Sequence, residues 1–360
     1  MSKPIRVVIV EDSPTMRAIL QARFAREDDI IVVGAAANAQ EGRQMIRELD
    51  PDVVTLDVEM PGMNGLDFLE KIMALRPTPV IVVSGSTHEG AETTARALAI
   101  GAVGCYAKHE GAGSSAFDDQ GKLADLIRDA SKVRFVTRPA AAPTPPTAVV
   151  APLSSVPPRA ATALRSPGPV ERPRLIAIGS STGGVEALQV LLGGFPADCP
   201  PTVVVQHISA RFAPAVARTL DQSCPPRIVI AEPDLPLLDG HVYIAPGDDR
   251  HFSVSGRSDQ FYQRLRRGEP VSGHIPSVDV LFHSVAEVVG AGAVGILLTG
   301  MGTDGAEGLL ALARSGARTI AQDEATSTVF GMPRAAIALG AAGVVAPIST
   351  IARHAFSKAA

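Results

Sequence analysis

The chain has 360 residues, 33 Gly, 29 Pro, no Trp and a formal net charge of −4. That length exceeds one typical hydrophobic core, so two domains are expected, and the mildly acidic balance disfavours nucleic acid as a partner. Three cysteines without CxxC spacing (Cys105, Cys199 and Cys224) argue against a zinc site or a disulfide framework and fit a reducing compartment.

Residues 5 to about 130 alternate strand and helix signals. Val7–Val10, Ile30–Val33, Val53–Leu56, Val80–Val83 and Ala102–Tyr106 read as strands, with helix-length stretches such as Thr15 to Arg26 between them. Ser13 can cap that first helix, with Pro14 at its first turn. Val7–Val10 is followed at once by Glu11-Asp12, so it is not a signal-peptide core, and no apolar run is long enough to span a bilayer. A cytoplasmic location without direct membrane insertion is expected. Residues 131–172, with Pro-Ala-Ala-Ala-Pro, Pro-Thr-Pro-Pro and Ser-Pro-Gly-Pro, read as a semi-extended linker. From Pro173 the βα alternation resumes and runs to about residue 358, with strands at Leu175–Ile178, Thr202–Val205, Val242–Ala245 and Val294–Leu298. The pattern predicts an α/β chain of two doubly wound parallel-sheet domains, at 1–130 and 173–360.

Glu11 and Asp12 end the first strand and Asp57 the third, which puts three carboxylates at one mouth of a parallel sheet. Such a cluster repels itself unless a hard cation neutralises it, and Mg²⁺ suits a few carboxylates plus retained waters. Asp57 could then attack a phosphoryl group while Lys108 offsets charge on its oxygens. Ser84, ending the fourth strand, could hydrogen-bond the added phosphate and pull one loop towards it. Glu11-Asp12 alone would read as a solvated loop. Joined to Asp57-Val58-Glu59-Met60-Pro61-Gly62-Met63-Asn64-Gly65, it does not: residues 1 to about 128 resemble the receiver domain of two-component response regulators. The resemblance implies a flavodoxin-like fold, phosphorylation of Asp57 by a histidine kinase, Mg²⁺ held by Glu11, Asp12 and Asp57, and a switch at Ser84 and Lys108. Two positions depart from the family. Cys105 stands where an aromatic is usual, with Tyr106 beside it as the candidate substitute, and His109 follows the lysine where Pro is usual.

In the C-terminal half, Ser181, His207 and Asp304 each follow an apolar run that reads as a strand, so an open parallel sheet would deliver them to one crevice. A hydroxyl, an imidazole and a carboxylate are the parts of a hydrolytic triad. Gly179-Ser180-Ser181-Thr182-Gly183 fits GxSxG, the pattern of a serine on a sharp strand-to-helix turn. A Gly-rich turn can instead bind phosphate, but the P-loop lysine is missing (Val185-Glu186 follows) and GxGxxG is absent. Ser180 is the rival nucleophile; Ser181 is preferred for its central place in the motif. His241 precedes its strand and should face the opposite edge. His274 and His283 flank a helix-like stretch and read as structural or surface residues. His88, His109 and His354 fall outside the crevice. Asp304 has a bland reading, capping the helix that begins near Ala306, and a functional one, orienting His207. The glycines around Met301 free backbone N–H groups for an oxyanion.

Residues 173 to about 356 closely resemble the catalytic domain of the chemotaxis protein-glutamate methylesterases. The matching stretches are Ile178–Gly184, Gln206-His207, Tyr243–Gly247, Pro276–Phe282 and Leu298–Gly305. The resemblance implies a Rossmann-like three-layer catalytic domain whose triad falls on Ser181, His207 and Asp304 and whose oxyanion amide falls on Met301. It implies hydrolysis of glutamyl γ-methyl esters, and deamidation of glutamine, on methyl-accepting chemotaxis receptors, under phosphorylation control and without a cofactor for the ester step. Where the family often has Met-Pro-Pro-Gly after Gln206-His207, this chain has Ile208-Ser209-Ala210-Arg211. Two rivals are a non-catalytic regulator whose C-terminal half binds a partner or nucleotide, and a receiver fused to a DNA-binding output. The charge and the missing helix-turn-helix pattern disfavour the latter.

Overall fold

A computed structural model describes residues 3–60, 65–85, 87–108, 121–133, 172–257 and 260–357. Most of the Pro/Ala-rich linker, Pro61-Gly62-Met63-Asn64 and His109 lie outside the described residues.

The N-terminal half is a parallel sheet of five strands: β1 (Ile5–Val10), β2 (Ile30–Ala36), β3 (Val53–Leu56), β4 (Val80–Ser84) and β5 (Gly104–Ala107), in the order β2-β1-β3-β4-β5. Alternate strand residues point to opposite faces. Val8, Val10, Val54 and Val82 accordingly join one apolar cluster and Val7, Ile9, Val53 and Ile81 another, so helices cover both faces. These are α1 (Pro14–Phe24), α2 (Ala39–Leu49), α3 (Gly65–Leu75), α4 (His88–Ile100) and α5 (Lys122–Ala130). Ser13 caps α1 by accepting from Met16 N–H, with Pro14 in the first turn, as its sequence predicts. β5 starts two residues later than the apolar run. The backbone N–H groups of Gly101, in the left-handed conformation, and Ala102 close α4 on Leu98 and Ala97, and pairing with β4 begins only at Gly104.

The C-terminal half is a parallel sheet of seven strands. They are β6 (Leu175–Ser180), β7 (Thr202–Gln206), β8 (Arg227–Ile230), β9 (His241–Ile244), β12 (Ala293–Leu297), β13 (Arg318–Gln322) and β14 (Val344–Ala346). Their order is β14-β13-β12-β6-β7-β9-β8. The helices are α6 (Gly184–Gly193), α7 (Ala213–Ser223), α8 (Val278–Val288), α9 (Ala306–Arg314), α10 (Met332–Ala338) and α11 (Ile348–Phe356). β6 is the first strand in sequence and lies mid-sheet. The chain winds from it to β7 on one side and later returns to β12 on the other, so the β6–β12 boundary is a topological switch point. The βα alternation lapses between α7 and α8: β9 follows β8 with no helix between them, and the antiparallel hairpin β10 (Arg250–Arg257) and β11 (Gln260–Arg267) comes next. Phe252, Val254 and Phe261 give that hairpin a buried face against α8.

The halves touch. α4 packs on α6 and α7, and one continuous apolar cluster runs from Leu69 and Leu98 to Leu188 and Val216.

Candidate active site

Ser181, His207 and Asp304 each leave the carboxyl end of a strand: β6, β7 and β12. Ser180 and Ser181 part company there. Ser180 is fully buried and its hydroxyl donates to Gln206 Oε1 at 2.6 Å. Ser181 is half-buried and lines a cavity of about 550 Å³ together with His207, His274 and Met301. Its backbone is pinned on three sides: Ser181 N–H donates to Thr299 O, and Ser181 O accepts from Gln206 Nε2 and Gly184 N–H. The close approach needs glycine opposite. A Cβ on Gly300 would lie 2.7 Å from Ser181 Cβ and 2.2 Å from Met332 Sδ.

His207 Nε2 lies 2.9 Å from Asp304 Oδ2, and its Nδ1 is buried with no partner among the described residues. Asp304 is fully buried. Its Oδ1 accepts from Ser277 Oγ and Asp279 N–H, and its Oδ2 from Val278 N–H as well as from the imidazole. These donors are the N-cap and first turn of α8. Asp304 therefore sits as an anion at a helix N-terminus, and the helix it caps is α8 and not α9, whose start at Gly305–Ala306 has no side-chain cap. Burial would raise the carboxyl's pKa, but the His207 and backbone hydrogen bonds outweigh it and hold it down at about 2. An ionised Asp304 only accepts, so Nε2 is the nitrogen that donates to it and Nδ1 is the one left over.

His274, which its sequence context marks as structural or surface, stacks on His207 with ring centroids 3.9 Å apart and planes 6° from parallel. Burial, then the neighbouring His207, push its pKa down. Donor atoms of His207, His274 and Asp304 lie within 4.8 Å of one another, yet stacked parallel imidazoles send their lone pairs side by side and do not converge on one ion. His241 opens β9 and so lies at the opposite sheet edge, bonded to Asp239 O. His283 and His354 lie on α8 and α11, away from the cavity lining. Buried His251 supports the site from behind, its Nδ1 accepting Ser277 N–H.

In the N-terminal half, Glu11, Asp12 and Asp57 each bring a carboxylate oxygen within 4.8 Å of the others, on the two strands flanking the switch point of that sheet. Lys108 Nζ bridges Asp57 at 2.6 Å and Glu11 at 2.7 Å. Burial raises the Glu11 carboxyl to about 7; the Lys108 hydrogen bond opposes this and the Asp57 charge adds to it. An all-carboxylate donor set short of positive charge fits Mg²⁺. Ser84 Oγ donates to Gly90 O at 3.1 Å. Tyr106 does not replace the aromatic expected at Cys105, because consecutive strand residues face opposite ways. Cys105 packs with the α4-side cluster and Tyr106 with the α5 side, where its hydroxyl accepts from Arg23. Burial pushes the Cys105 thiol up to about 12, so it is not a reactive group.

The receiver-like half walls the cavity beside Ser181. Leu98 lines it from α4, Ala102 and Val103 from the turn after α4, Gly104 and Cys105 from β5, and Leu126 and Asp129 from α5. Met301 and Val329 join the cluster of Leu123, Ile127 and Val133. Arg211, in the stretch that departs from Met-Pro-Pro-Gly, donates through Nη2 to Gly85 O at 2.7 Å. Glu59, two residues after Asp57, accepts from Gly85 N–H and Thr87 Oγ1.

Residues 176–355 match the CheB methylesterase family model and residues 7–114 the response regulator receiver domain model. A protein-glutamate methylesterase/protein-glutamine glutaminase of Rhizobium etli is 48% identical over 352 residues, which cover 98% of this chain and 95% of that protein. The chain belongs to this family of receiver-linked methylesterases. A Caulobacter vibrioides protein of the same name is 48% identical over 340 residues, covering 94% of this chain and 93% of its own. The crystal structure of the Thermotoga maritima CheB methylesterase catalytic domain is 33% identical, with a TM-score of 0.50, covering 51% of this chain and 97% of that one. The family is one of hydrolases, consistent with a site built from a serine, a histidine and a carboxylate. Among the described residues no helix is long and apolar enough to cross a membrane.

Proposed function

We propose that this chain hydrolyses glutamyl γ-methyl esters, and deamidates glutamine, on methyl-accepting chemotaxis receptors, and that a histidine kinase controls it through Asp57. The observation that carries the catalytic reading is His207, clamped through Nε2 to an ionised Asp304 while Nδ1 stays unpartnered beside the cavity that Ser181 lines. Ser181 loses its proton to His207 Nδ1 as its Oγ adds to the ester carbonyl. The tetrahedral oxyanion is held by the Met301 backbone amide. The imidazolium protonates the departing methoxide, giving methanol, or the departing amine of glutamine, giving ammonia. Water then attacks the acyl-enzyme with His207 again as base, restoring Ser181 and releasing a glutamate side chain. Asp304 stays ionised throughout and stabilises the imidazolium. The two ring nitrogens exchange the roles they have in the chymotrypsin arrangement. The ester step needs no cofactor.

Residues 1–130 act as the receiver, 131–172 as linker and 173–360 as catalytic domain. Glu11, Asp12 and Asp57 would hold Mg²⁺, which supplies charge neutralisation for phosphoryl transfer. Lys108 neutralises the phosphorylated aspartate, and Ser84 leaves Gly90 O to bond the new phosphate. That turn shifts Gly85, which Arg211 grips, and the start of α4, and the population moves towards an open crevice.

Methanol release from methylated receptor membranes tests both halves, with wild type and Ser181→Ala compared with and without a small-molecule phosphodonor and Mg²⁺. Release should depend on Ser181, falling by roughly 10⁴-fold or more in its absence, and rise with phosphodonor. Release that survives Ser181→Ala removes the triad assignment. No response to phosphodonor removes the regulatory half alone.

A further inference from the structure

The catalytic base has a second support beyond Asp304, and it runs through residues outside the triad. His274 stacks on His207. Its Nδ1 lies 2.9 Å from Ser272 O, which can only accept, so the proton of the neutral ring sits on Nδ1. His274 ends a tight turn: Val271 and His274 exchange both backbone hydrogen bonds, and Ser272 (φ 52°) and Gly273 (φ 80°) between them are both left-handed. That is the geometry of a type I′ turn, which suits Gly at the second position but strains Ser at the first. Something must hold Ser272 there. Its Oγ donates to Asp279 Oδ2 at 2.9 Å, and Asp279, 4% exposed, is itself fixed by Gly308 N–H on Oδ1 at 2.8 Å.

We infer that Asp279 and Ser272 are positioning residues for the catalytic base, holding the His274 ring as a flat platform against which His207 keeps its plane. The inference rests on the reading of His207 as the base. The physical need is specific. Asp304 fixes one atom of the imidazole but leaves the ring free to swing about the Nε2–Oδ2 line, whereas the proposed proton transfer needs Nδ1 to face the cavity that Ser181 lines. A stacked ring blocks that swing. Asp279 is suited to the task because it is the second residue of α8, whose first turn also binds Asp304. One helix end thus references both supports of the base. A neutral His274 also presents a π face to the imidazolium formed in turnover, which stabilises it.

The test uses the full chain with phosphodonor and Mg²⁺, assayed by methanol release from methylated receptor membranes. Ser272→Ala should lower kcat about tenfold with KM little changed, since misorientation of a catalytic group is felt in the chemical step. Ser272→Asn tolerates the left-handed backbone and can still bond Asp279, so it should recover most of that loss. Asp279→Asn can bond Ser272 with donor and acceptor reversed and should be milder than Asp279→Ala. In ¹⁵N-histidine spectra, wild type should show His274 protonated on Nδ1, and Ser272→Ala should lose that fixed tautomer while its thermal unfolding stays close to wild type. Wild-type kcat in Ser272→Ala, or a loss that Ser272→Asn does not recover, overturns the inference. Ser181→Ala run in parallel separates the two levels: activity surviving there removes the triad itself, whereas an inactive Ser181→Ala beside a fully active Ser272→Ala removes only the brace.

Discussion

At the residue scale, the site is built from close approach and charge placement. Asp304 accepts four hydrogen bonds on two oxygens, and an amide cannot do so. Asp304→Asn must turn its NH₂ towards a donor, leaving at least one buried donor unmet at a cost of about 1–3 kcal/mol. It also removes the charge that stabilises the imidazolium. Turnover should fall on the order of 10⁴-fold while the protein still folds, measured by methanol release beside thermal unfolding. Gly300→Ala tests close approach: its methyl would press on Ser181 and on Met332, so kcat should fall with a smaller change in stability. Ser181, His207 and Asp304 were legible in the sequence because each follows a continuous apolar run, and strand ends of a parallel sheet converge. Only packing tells Ser180 from Ser181: both hydroxyls fit the local motif, and Ser180 is the one that is fully buried and bonded to Gln206. His274 was not legible. It lies on a turn whose Val271-Ser272-Gly273 carries no periodic signal, and its neighbour in space is 67 residues away by number (274 minus 207).

At the element scale, the first helix and most strands of both sheets follow from hydrophobic pattern and caps, and the departures have local causes. The hairpin β10–β11 departs from the βα alternation that the sequence predicts from Pro173 to about residue 358, although Phe252 and Val254 alternate with polar neighbours as in a half-buried strand. Asp304 carries a cap signal that points to α9 in sequence but acts on α8 in space, which no local window contains. The contact between α4 and α6–α7 is likewise nonlocal. Two arginines cross it with unequal weight. The Arg218–Glu92 pair, 3.3 Å apart with side chains 46% and 52% exposed, is screened by water and worth little. Arg211 donates to the half-buried backbone carbonyl of Gly85, a charged-donor bond worth roughly 1.5–3 kcal/mol. Arg211→Ala should therefore raise basal esterase activity roughly tenfold and flatten the response to phosphodonor, while Arg218→Ala stays within about twofold of wild type. Equal effects of the two would place the clasp elsewhere on the interface.

At the scale of the whole molecule, the two sheets share one apolar cluster, so the proposed regulation would act through a surface that also stabilises the fold. The pH dependence of folding has one contribution with a clear sign. Asp304 has its pKa lowered from 3.8 to about 2 in the folded state. Its stabilisation is thus fully present above the unfolded value near 3.8 and is lost as pH falls through about 2, a change on the order of 2 kcal/mol. Denaturant unfolding followed from pH 5 to pH 2 should show this loss in wild type and much less of it in Asp304→Asn. The coupling of halves makes a further demand on the cavity. If α4, β5 and α5 wall the space beside Ser181 because the receiver restrains the enzyme, then deleting residues 1 to about 150 should raise methanol release without phosphodonor and abolish any response to it. As a linker, the Pro/Ala-rich stretch 131–172 would offer roughly forty residues, ample for the halves to separate without unfolding either. A rise in the truncated chain with Arg211→Ala intermediate would order the events: the clasp loosens first, and the apolar contact of α4 with α6 and α7 sets how far the crevice opens. A truncated chain that folds yet releases methanol at or below the full-length rate would mean that the receiver wall completes the substrate site, and that phosphorylation reshapes the wall without removing it.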